Sequence, residues 1–155
     1  MNTAPPSRRG IKLAWAVLAG FLLIQLVPLD RHNPPIQPGQ SVYAVESVPP
    51  QVRAVLERSC SNCHSDETRW PWYSYVAPVS WMVASDVHHA RRNMDLSRWA
   101  TYTAEKREDK LEEICEQITN GDMPDPKYVL FHRRARPTQQ EREAVCKWTD
   151  DVRQY

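Results

Sequence analysis

Five consecutive residues constrain this chain more than any other feature of the sequence: Cys60, Ser61, Asn62, Cys63 and His64. In a C-x-x-C-H run, two thiols bond to the two vinyl groups of a haem, and the histidine becomes the proximal ligand of the iron. Two intervening residues bring both sulfur atoms to one edge of the porphyrin. The sequence therefore predicts one covalent haem c, held by Cys60 and Cys63, with His64 as an axial ligand of the iron.

Two other chemistries use a C-x-x-C pair, and neither suits this sequence. A thioredoxin-like redox pair belongs to a βαβ pattern, which the sequence lacks. A structural zinc site needs a second pair of ligands at finger spacing, whereas Cys115 and Cys146 stand far apart. Covalent haem attachment is therefore the favoured interpretation.

The charge balance argues against nucleic acid as a partner. Lysine and arginine total 20 and aspartate and glutamate total 19, so the formal net charge is +1. Binding to nucleic-acid phosphates requires a clustered basic face, for which this balance gives no support. No nucleic acid is expected among the partners.

An apolar run near the N-terminus predicts a transmembrane helix. Residues 13–27 are apolar except for Gly20 and Gln25, and the predicted span covers 11–29. Its 19 residues are about the length of a helix that crosses the core of a bilayer. Three basic residues precede the apolar run: Arg8, Arg9 and Lys12. The positive-inside rule therefore places the N-terminus in the cytoplasm.

This span predicts the location of the whole chain. Residues 1–10 would be cytoplasmic, and the remainder would lie in the bacterial periplasm, attached to the cytoplasmic (inner) membrane by a single pass. A cleaved signal peptide is the alternative, but no small-x-small cleavage site closely follows Leu29. Both interpretations put the C-x-x-C-H motif outside the cytoplasm, where bacteria attach haem to it.

Two further regions follow the predicted span. Residues 30–47 are predicted to be an extended, proline-rich linker, because Pro34, Pro35 and Pro38 stand among polar residues without a helical or strand period. Residues 48–155 are predicted to be the haem c domain, which is of ordinary size for a domain.

The haem domain is predicted to be all-α. Four segments show helical signals, and none shows the sustained alternation of a strand. The first helix is expected to open at Pro49 and Pro50, and the second to start after Pro78 and run to about Arg92. The third is expected to run from an N-cap at Thr103 to a stop at Gly121, and the last to begin at a capping box from Thr138 to Glu141. Because four short helices carry little apolar surface, a central haem would complete the core.

Met123 is the predicted sixth ligand of the iron. The Met123-Pro124 pair lies on a loop before the last predicted helix, the arrangement that small class I cytochromes c use for the distal ligand. A thioether is a soft, neutral ligand that raises the reduction potential relative to a second histidine. His132 is the alternative ligand, and an open sixth position is a further alternative. His88 and His89 are also histidines on a predicted helix, but a polar, solvated helix face explains them better than iron ligation does.

Bulky residues shortly after the motif predict a wall of the haem pocket. Trp70, Trp72 and Tyr73 belong to a W-P-W-Y-S run, in which indole N–H and phenol O–H groups would reach the propionates or solvent. Arg69 is a candidate partner for a propionate, because a guanidinium matches a carboxylate with two hydrogen bonds. The same rings could equally form part of the hydrophobic core.

The two remaining cysteines leave two alternatives open. Cys115 and Cys146 each lie on a predicted helix, and in an oxidising compartment such a pair could form a disulfide. Otherwise both are small buried hydrophobic residues.

The chain resembles the bacterial haem-binding-domain family of single-haem c-type cytochromes, often tethered by an N-terminal helix. The resemblance rests on C-S-N-C-H-S at 60–65, E-T-R-W-P-W-Y-S at 67–74, A-P-V-S-W at 77–81, D-V at 86–87, S-R-W at 97–99, G-D-M-P at 121–124 and the segment 128–132. It implies haem c, a class I cytochrome c-like helical fold and a location near a membrane.

Together these features predict a membrane-anchored c-type cytochrome that transfers single electrons and is not an enzyme. Its expected partners are redox proteins or a larger respiratory or photosynthetic complex. One alternative is a haem-based sensor or peroxidase-like enzyme with an open sixth position. The other is a structural subunit whose haem stabilises it within a larger membrane redox complex.

Overall fold

The computed structural model describes residues 8–154, and every regular element in this range is helical. The α-helices are α1 (Arg8–Ile24), α2 (Val42–Val45), α3 (Pro50–Ser59), α4 (Ser61–His64), α5 (Val79–Asn93), α6 (Ala104–Asn120), α7 (Pro126–Phe131) and α8 (Gln139–Arg153). Short 3₁₀ helices lie at Trp72–Tyr75, Leu96–Thr101 and Arg133–Ala135. The chain is thus all-α within this range, whereas the predicted transmembrane helix is not supported, as described below.

Local sequence signals set the ends of α6 and α8. The Oγ1 atom of Thr103 accepts a hydrogen bond from the Lys106 N–H (3.2 Å), and α6 ends at Gly121, whose φ of 80° is a left-handed conformation that suits glycine. At α8, the Thr138 N–H donates to Glu141 Oε2 (2.7 Å) and the Glu141 N–H donates to Thr138 Oγ1 (3.3 Å). This reciprocal pair is the predicted capping box.

The described residues form two compact units. The first contains residues 8–32 and 70–85, and the second contains 33–69 and 86–154. The C-x-x-C-H motif and the Met123 loop both belong to the second unit.

The core of the second unit is a cluster of twelve buried apolar side chains. They come from α2, α3, α6, α8 and the segment around the 3₁₀ helix Leu96–Thr101: Val42, Val52, Val55, Leu56, Met94, Leu96, Trp99, Leu111, Ile114, Ile118, Val145 and Trp148. The two tryptophans also satisfy their indole N–H groups, since Trp99 donates to Glu46 Oε1 (2.8 Å) and Trp148 donates to the Ser47 carbonyl (3.1 Å).

Part of the region predicted to be a linker contributes to this core. The sequence predicts an extended segment over 30–47, but the structure places α2 there, and the side chain of Val42 is fully buried. A four-residue helix has little stability of its own. Its helical form depends on packing and on the indole hydrogen bonds to Glu46 and Ser47, which a local sequence pattern does not reveal.

A disulfide joins α6 to α8. It links Cys115 to Cys146, with 4.7 Å between their Cα atoms and a sequence separation of 31. The two helices also pack directly against each other. The disulfide therefore closes a loop that contains the whole Met123 segment.

The first unit is held together by polar contacts to main-chain atoms. The Gln25 amide donates to the Ala77 carbonyl (3.3 Å) and accepts from the Ala77 N–H (2.9 Å). Arg31 donates to the Ser74 carbonyl (3.2 Å), and its guanidinium carbon lies 4.5 Å from the centre of the Tyr75 ring. The residues that follow α1 are thereby attached to the segment around the W-P-W-Y-S run.

The prediction of a transmembrane anchor over 11–29 is wrong. None of the helices found in residues 8–154 has both the length and the apolar character needed to cross a bilayer. Helix α1 has 17 residues, which at 1.5 Å per residue is about 25 Å, shorter than the core of about 30 Å. It ends at Ile24, where the Gln25 side chain donates to the Phe21 carbonyl and bonds to Ala77. The predicted single-pass attachment to the inner membrane rested on this anchor and is wrong with it.

Removal of the disulfide is expected to destabilise the second unit. Loop closure over 31 residues corresponds to about 3–4 kcal/mol in the chain-entropy model. We expect Cys115→Ser/Cys146→Ser to lower the free energy of unfolding by about this amount in urea titrations of the haem-loaded protein. Adding a reductant to the variant is the control, since it should change nothing further. Equal stability of the variant and the unreduced parent protein would contradict this expectation.

Candidate functional site

A single helical turn positions the C-x-x-C-H motif. Helix α3 ends at Ser59, and Cys60 connects it to α4, whose N–H groups at Cys63 and His64 donate to the Cys60 carbonyl (3.1 and 3.0 Å). Residues three apart in a helix lie on the same side. The turn therefore presents the two thiols together, with the imidazole of His64 directly after the second.

The imidazole of His64 is buried and lies against a main-chain carbonyl. Its side chain is only 8% exposed, and Nδ1 lies 3.0 Å from the Met94 carbonyl oxygen. A carbonyl only accepts hydrogen bonds, so Nδ1 carries the proton and Nε2 keeps its lone pair. Burial lowers the pKa of His64, which favours the neutral ring. The residue thus has the protonation state and the free nitrogen of an iron ligand.

The two thiols of the motif are free and neutral. Cys60 and Cys63 are not joined to each other. Burial raises the pKa of Cys60 to about 12 and that of Cys63 to about 11, and the carboxylates of Asp86 and Asp125 add to the effect at Cys63. A redox-active C-x-x-C pair and a zinc site both need thiolates, which a lowered pKa favours. Within residues 8–154 there is also no group of three or more His, Cys, Asp or Glu residues that could hold a metal ion.

Two adjoining clefts meet at the motif. Their volumes are about 120 Å³ and about 260 Å³, and they share six lining residues: Ser59, Cys60, His64, Asn93, Met123 and Pro124. The smaller cleft is lined also by Met94, Ile114 and Ile118, and these apolar side chains suit a largely apolar macrocycle. The two thiols, the buried imidazole and this apolar lining fit a haem.

Met123 lines both clefts together with His64. Helix α6 ends at Gly121, and the N–H groups of Asp122 and Met123 both donate to the Gln117 carbonyl (3.1 Å each). This attachment holds the Met123 main chain against the end of α6, while its side chain remains 41% exposed. The structure therefore brings the two predicted axial ligands to the same clefts, with a thioether at their surface.

Most of the other candidate residues are not in these clefts. The ring of His132 stacks on Tyr128, with 4.3 Å between ring centroids, and lines two separate depressions. Arg69 is exposed, and its main-chain N–H donates to Asn62 Oδ1 (2.8 Å). The three aromatic candidates belong to the first unit: Trp70, Trp72 and Tyr73. Of the residue pair 88–89, only His89 lines one of the clefts.

Sequence reasoning missed Arg91, which anchors the segment after His64. Its guanidinium donates to the Ser65 carbonyl (2.8 Å), Thr68 Oγ1 (2.8 Å) and Asn33 Oδ1 (2.7 Å). Arg91 lies in the last turn of α5, and helical spacing alone does not indicate such contacts.

A second arginine fixes the same segment. Asp66 is 3% exposed, and its Oδ2 atom lies 3.1 Å from Arg98 Nε. The Asp66 N–H also donates to Ser97 Oγ (3.0 Å). The two arginines thus anchor the chain after the motif, whereas α3 leads into it from the other side.

A polar triad borders the smaller cleft. Lys110 Nζ donates to Glu113 Oε2 (2.6 Å) and to Asn93 Oδ1 (3.0 Å), and Asn93 Nδ2 donates to Glu113 Oε1 (3.1 Å). Burial raises the pKa of Glu113, but the hydrogen bonds from Lys110 and Asn93 outweigh it and leave that pKa below its usual value. The cleft therefore has a fixed negative group next to its apolar wall.

Comparison with known proteins identifies the family. No curated protein and no solved structure matches the chain. A family model described as a haem-binding domain matches residues 19–151, which include most of each unit, the C-x-x-C-H motif and the Met123 loop. The resemblance noted from the sequence motifs is therefore confirmed, and the chain belongs to the haem-binding domain family.

Proposed function

We propose that this protein is a c-type cytochrome that carries single electrons and is not an enzyme. Cys60 and Cys63 would hold the haem through thioether bonds, and His64 and Met123 would be its axial ligands. The observation that carries the proposal is the buried imidazole of His64, which lies beside two neutral thiols and keeps Nε2 free by donating from Nδ1 to the Met94 carbonyl.

The thiol chemistry supports covalent attachment over other roles of the pair. A thiol whose pKa is raised by burial stays protonated at neutral pH. It therefore reacts poorly in disulfide exchange, because the thiolate is the attacking species. Cys60 and Cys63 lie on one turn directly before the ligand histidine. This order suits attachment at one edge of a macrocycle whose iron is bound by His64.

The proposed ligands, His64 and Met123, suit a haem that carries single electrons. When bound, the haem supplies a one-electron couple of its iron. Met123 would contribute a neutral, soft ligand that favours the reduced iron, and His64 would contribute a neutral nitrogen. If His64 and Met123 both bind the iron, no position would remain for a substrate, which would favour electron transfer over catalysis.

One observation favours a second candidate function. The Met123 side chain is 41% exposed and lies on a loop, so a small molecule could reach and displace it. In that case the protein would be a haem-based sensor or a peroxidase-like enzyme. The tests below distinguish the two functions.

Covalent attachment is tested by denaturing the haem-loaded protein. We expect the haem to remain with the polypeptide in SDS gels and to resist extraction into acidified organic solvent. Cys60→Ser/Cys63→Ser should release nearly all of it, because a thioether survives unfolding and axial coordination does not. Cys115→Ser/Cys146→Ser is the matched control and should retain its haem. If all the haem can be extracted from the parent protein, the protein still binds haem, but covalent c-type attachment is refuted.

The distal ligand is tested by spectroscopy of Met123→Ala. We expect loss of the long-wavelength absorption band of the oxidised protein that marks a thioether ligand, and a lower reduction potential, because methionine favours the reduced iron. Met82→Ala is the control, since Met82 is also exposed but lies on α5. An unchanged band in Met123→Ala, together with its loss in His132→Ala, would assign the ligand to His132.

Carbon monoxide binding separates electron transfer from the second candidate function. A reduced iron with two protein ligands should bind carbon monoxide slowly and weakly, and Met123→Ala should bind it readily. Fast, stoichiometric binding by the parent protein would favour the sensor or the peroxidase-like enzyme.

A further inference from the structure

A strongly basic segment follows the Met123 loop. Residues 127–136 contain four basic side chains and no acidic one, in a chain whose net charge is only +1. Exposed apolar side chains lie among them. We call the following six residues the basic patch: Lys127, Leu130, Phe131, Arg133, Arg134 and Arg136.

The charge of the basic patch is largely unneutralised. Within residues 8–154, Arg133, Arg134 and Arg136 form no ion pair, and the Lys127 Nζ lies 4.0 Å from an exposed carboxylate of Asp125. Most other arginines near carboxylates are paired at shorter distances: Arg53 with Glu57 (2.7 Å), Arg58 with Glu141 (3.0 Å), Arg98 with Asp66 (3.1 Å) and Arg153 with Glu112 (2.7 Å). The basic patch therefore presents a local positive potential to solvent.

Large apolar side chains are exposed within the same surface. Leu130 is 67% exposed and Phe131 is 62% exposed. Both line one surface depression together with Arg133 and Arg134. Apolar groups surrounded by charged ones are the composition of a protein-docking surface.

The basic patch adjoins the haem clefts. Tyr128 lines the depression that contains Leu130 and Arg133, and it also lines the larger cleft together with Cys63 and His64. A partner bound at this depression would lie next to the larger cleft, because Tyr128 lines both.

We propose that the basic patch is the docking surface for a redox protein with an acidic surface, an inference that rests on the proposed electron-transfer function. The three unpaired arginines attract carboxylates on the partner, and Leu130 and Phe131 supply the apolar contact. The composition favours a protein over a polyanion, because nucleic-acid phosphates would leave the two exposed apolar side chains without a matching surface. Attraction between opposite charges accelerates the encounter and is screened by salt beyond about 8 Å at physiological ionic strength.

The test uses reduced plant-type [2Fe–2S] ferredoxin as the probe, because it is a small acidic one-electron carrier of low potential. Binding is measured by fluorescence anisotropy of labelled ferredoxin, and haem reduction is measured by stopped-flow absorbance, each at low and high salt. Arg133→Glu/Arg134→Glu should lower the association rate about tenfold or more at low salt, with the difference vanishing at high salt. Leu130→Ala should weaken binding through faster dissociation without changing the salt dependence.

A matched control separates the effect of net charge from that of its position. Arg92→Glu/Lys147→Glu changes the net charge by the same amount at exposed residues outside the basic patch, and it should retain the parent rate to within about twofold. Equal losses in the two double variants would overturn the proposal, because the effect would then reflect net charge alone. Absence of ferredoxin binding, or binding that Arg133→Glu/Arg134→Glu leaves unchanged, would also overturn it.

Two further outcomes separate this proposal from its rivals and from the proposed function. Tighter binding of duplex DNA or of anionic lipid vesicles than of ferredoxin, lost in Arg133→Glu/Arg134→Glu, would overturn docking of a protein in favour of that ligand. Patch-dependent binding of ferredoxin without haem reduction would support the docking surface and refute electron transfer. If dithionite reduces the haem normally but Arg133→Glu/Arg134→Glu leaves ferredoxin binding unchanged, electron transfer would remain intact and only the docking surface would be refuted.

Discussion

The hydrogen bond between His64 Nδ1 and the Met94 carbonyl connects two segments that lie 30 residues apart in the sequence. It fixes the orientation and the tautomer of the imidazole at once, because only a protonated Nδ1 can donate to a carbonyl. Met94 is itself part of the apolar core, and its N–H is bonded to the Ala90 carbonyl at the end of α5 (2.8 Å). His64 is therefore positioned by the core of the unit, so packing errors far from α4 would displace its imidazole.

The loop that carries Met123 is supported in a comparable way. Its main chain is bonded to the Gln117 carbonyl at the end of α6, and α6 also provides the apolar wall through Ile114 and Ile118. One helix thus supports both the lining of the cleft and the proposed distal ligand. The position of α6 is itself fixed in two ways, because α6 packs on α8 and is joined to it by the disulfide. The thioether side chain alone is free to adapt, because it is partly exposed.

The sequence predicts those features that depend on neighbouring residues. The capping signals at Thr103, Thr138 and Gly121 mark the ends of α6 and α8, and the C-x-x-C-H spacing identifies the haem motif. Contacts between distant segments, such as those of Arg91 with Ser65 and Thr68, have no local signal. The transmembrane prediction failed for a related reason. It counted apolar residues through position 29, but α1 ends at Ile24, next to Gln25, which bonds to the distant residue Ala77.

The disulfide has a consequence for how the protein must mature. Four cysteines admit three pairings of two bridges, and the two residues of the C-x-x-C turn are close enough in sequence to pair with each other. Only the pairing of Cys115 with Cys146 leaves both motif thiols available, and then only while they stay reduced. Covalent attachment of a haem, as proposed, would thus require oxidation at one pair of cysteines and protection from it at the other. Timing would then be a constraint on this fold: the motif would have to receive its cofactor before an oxidant reaches it.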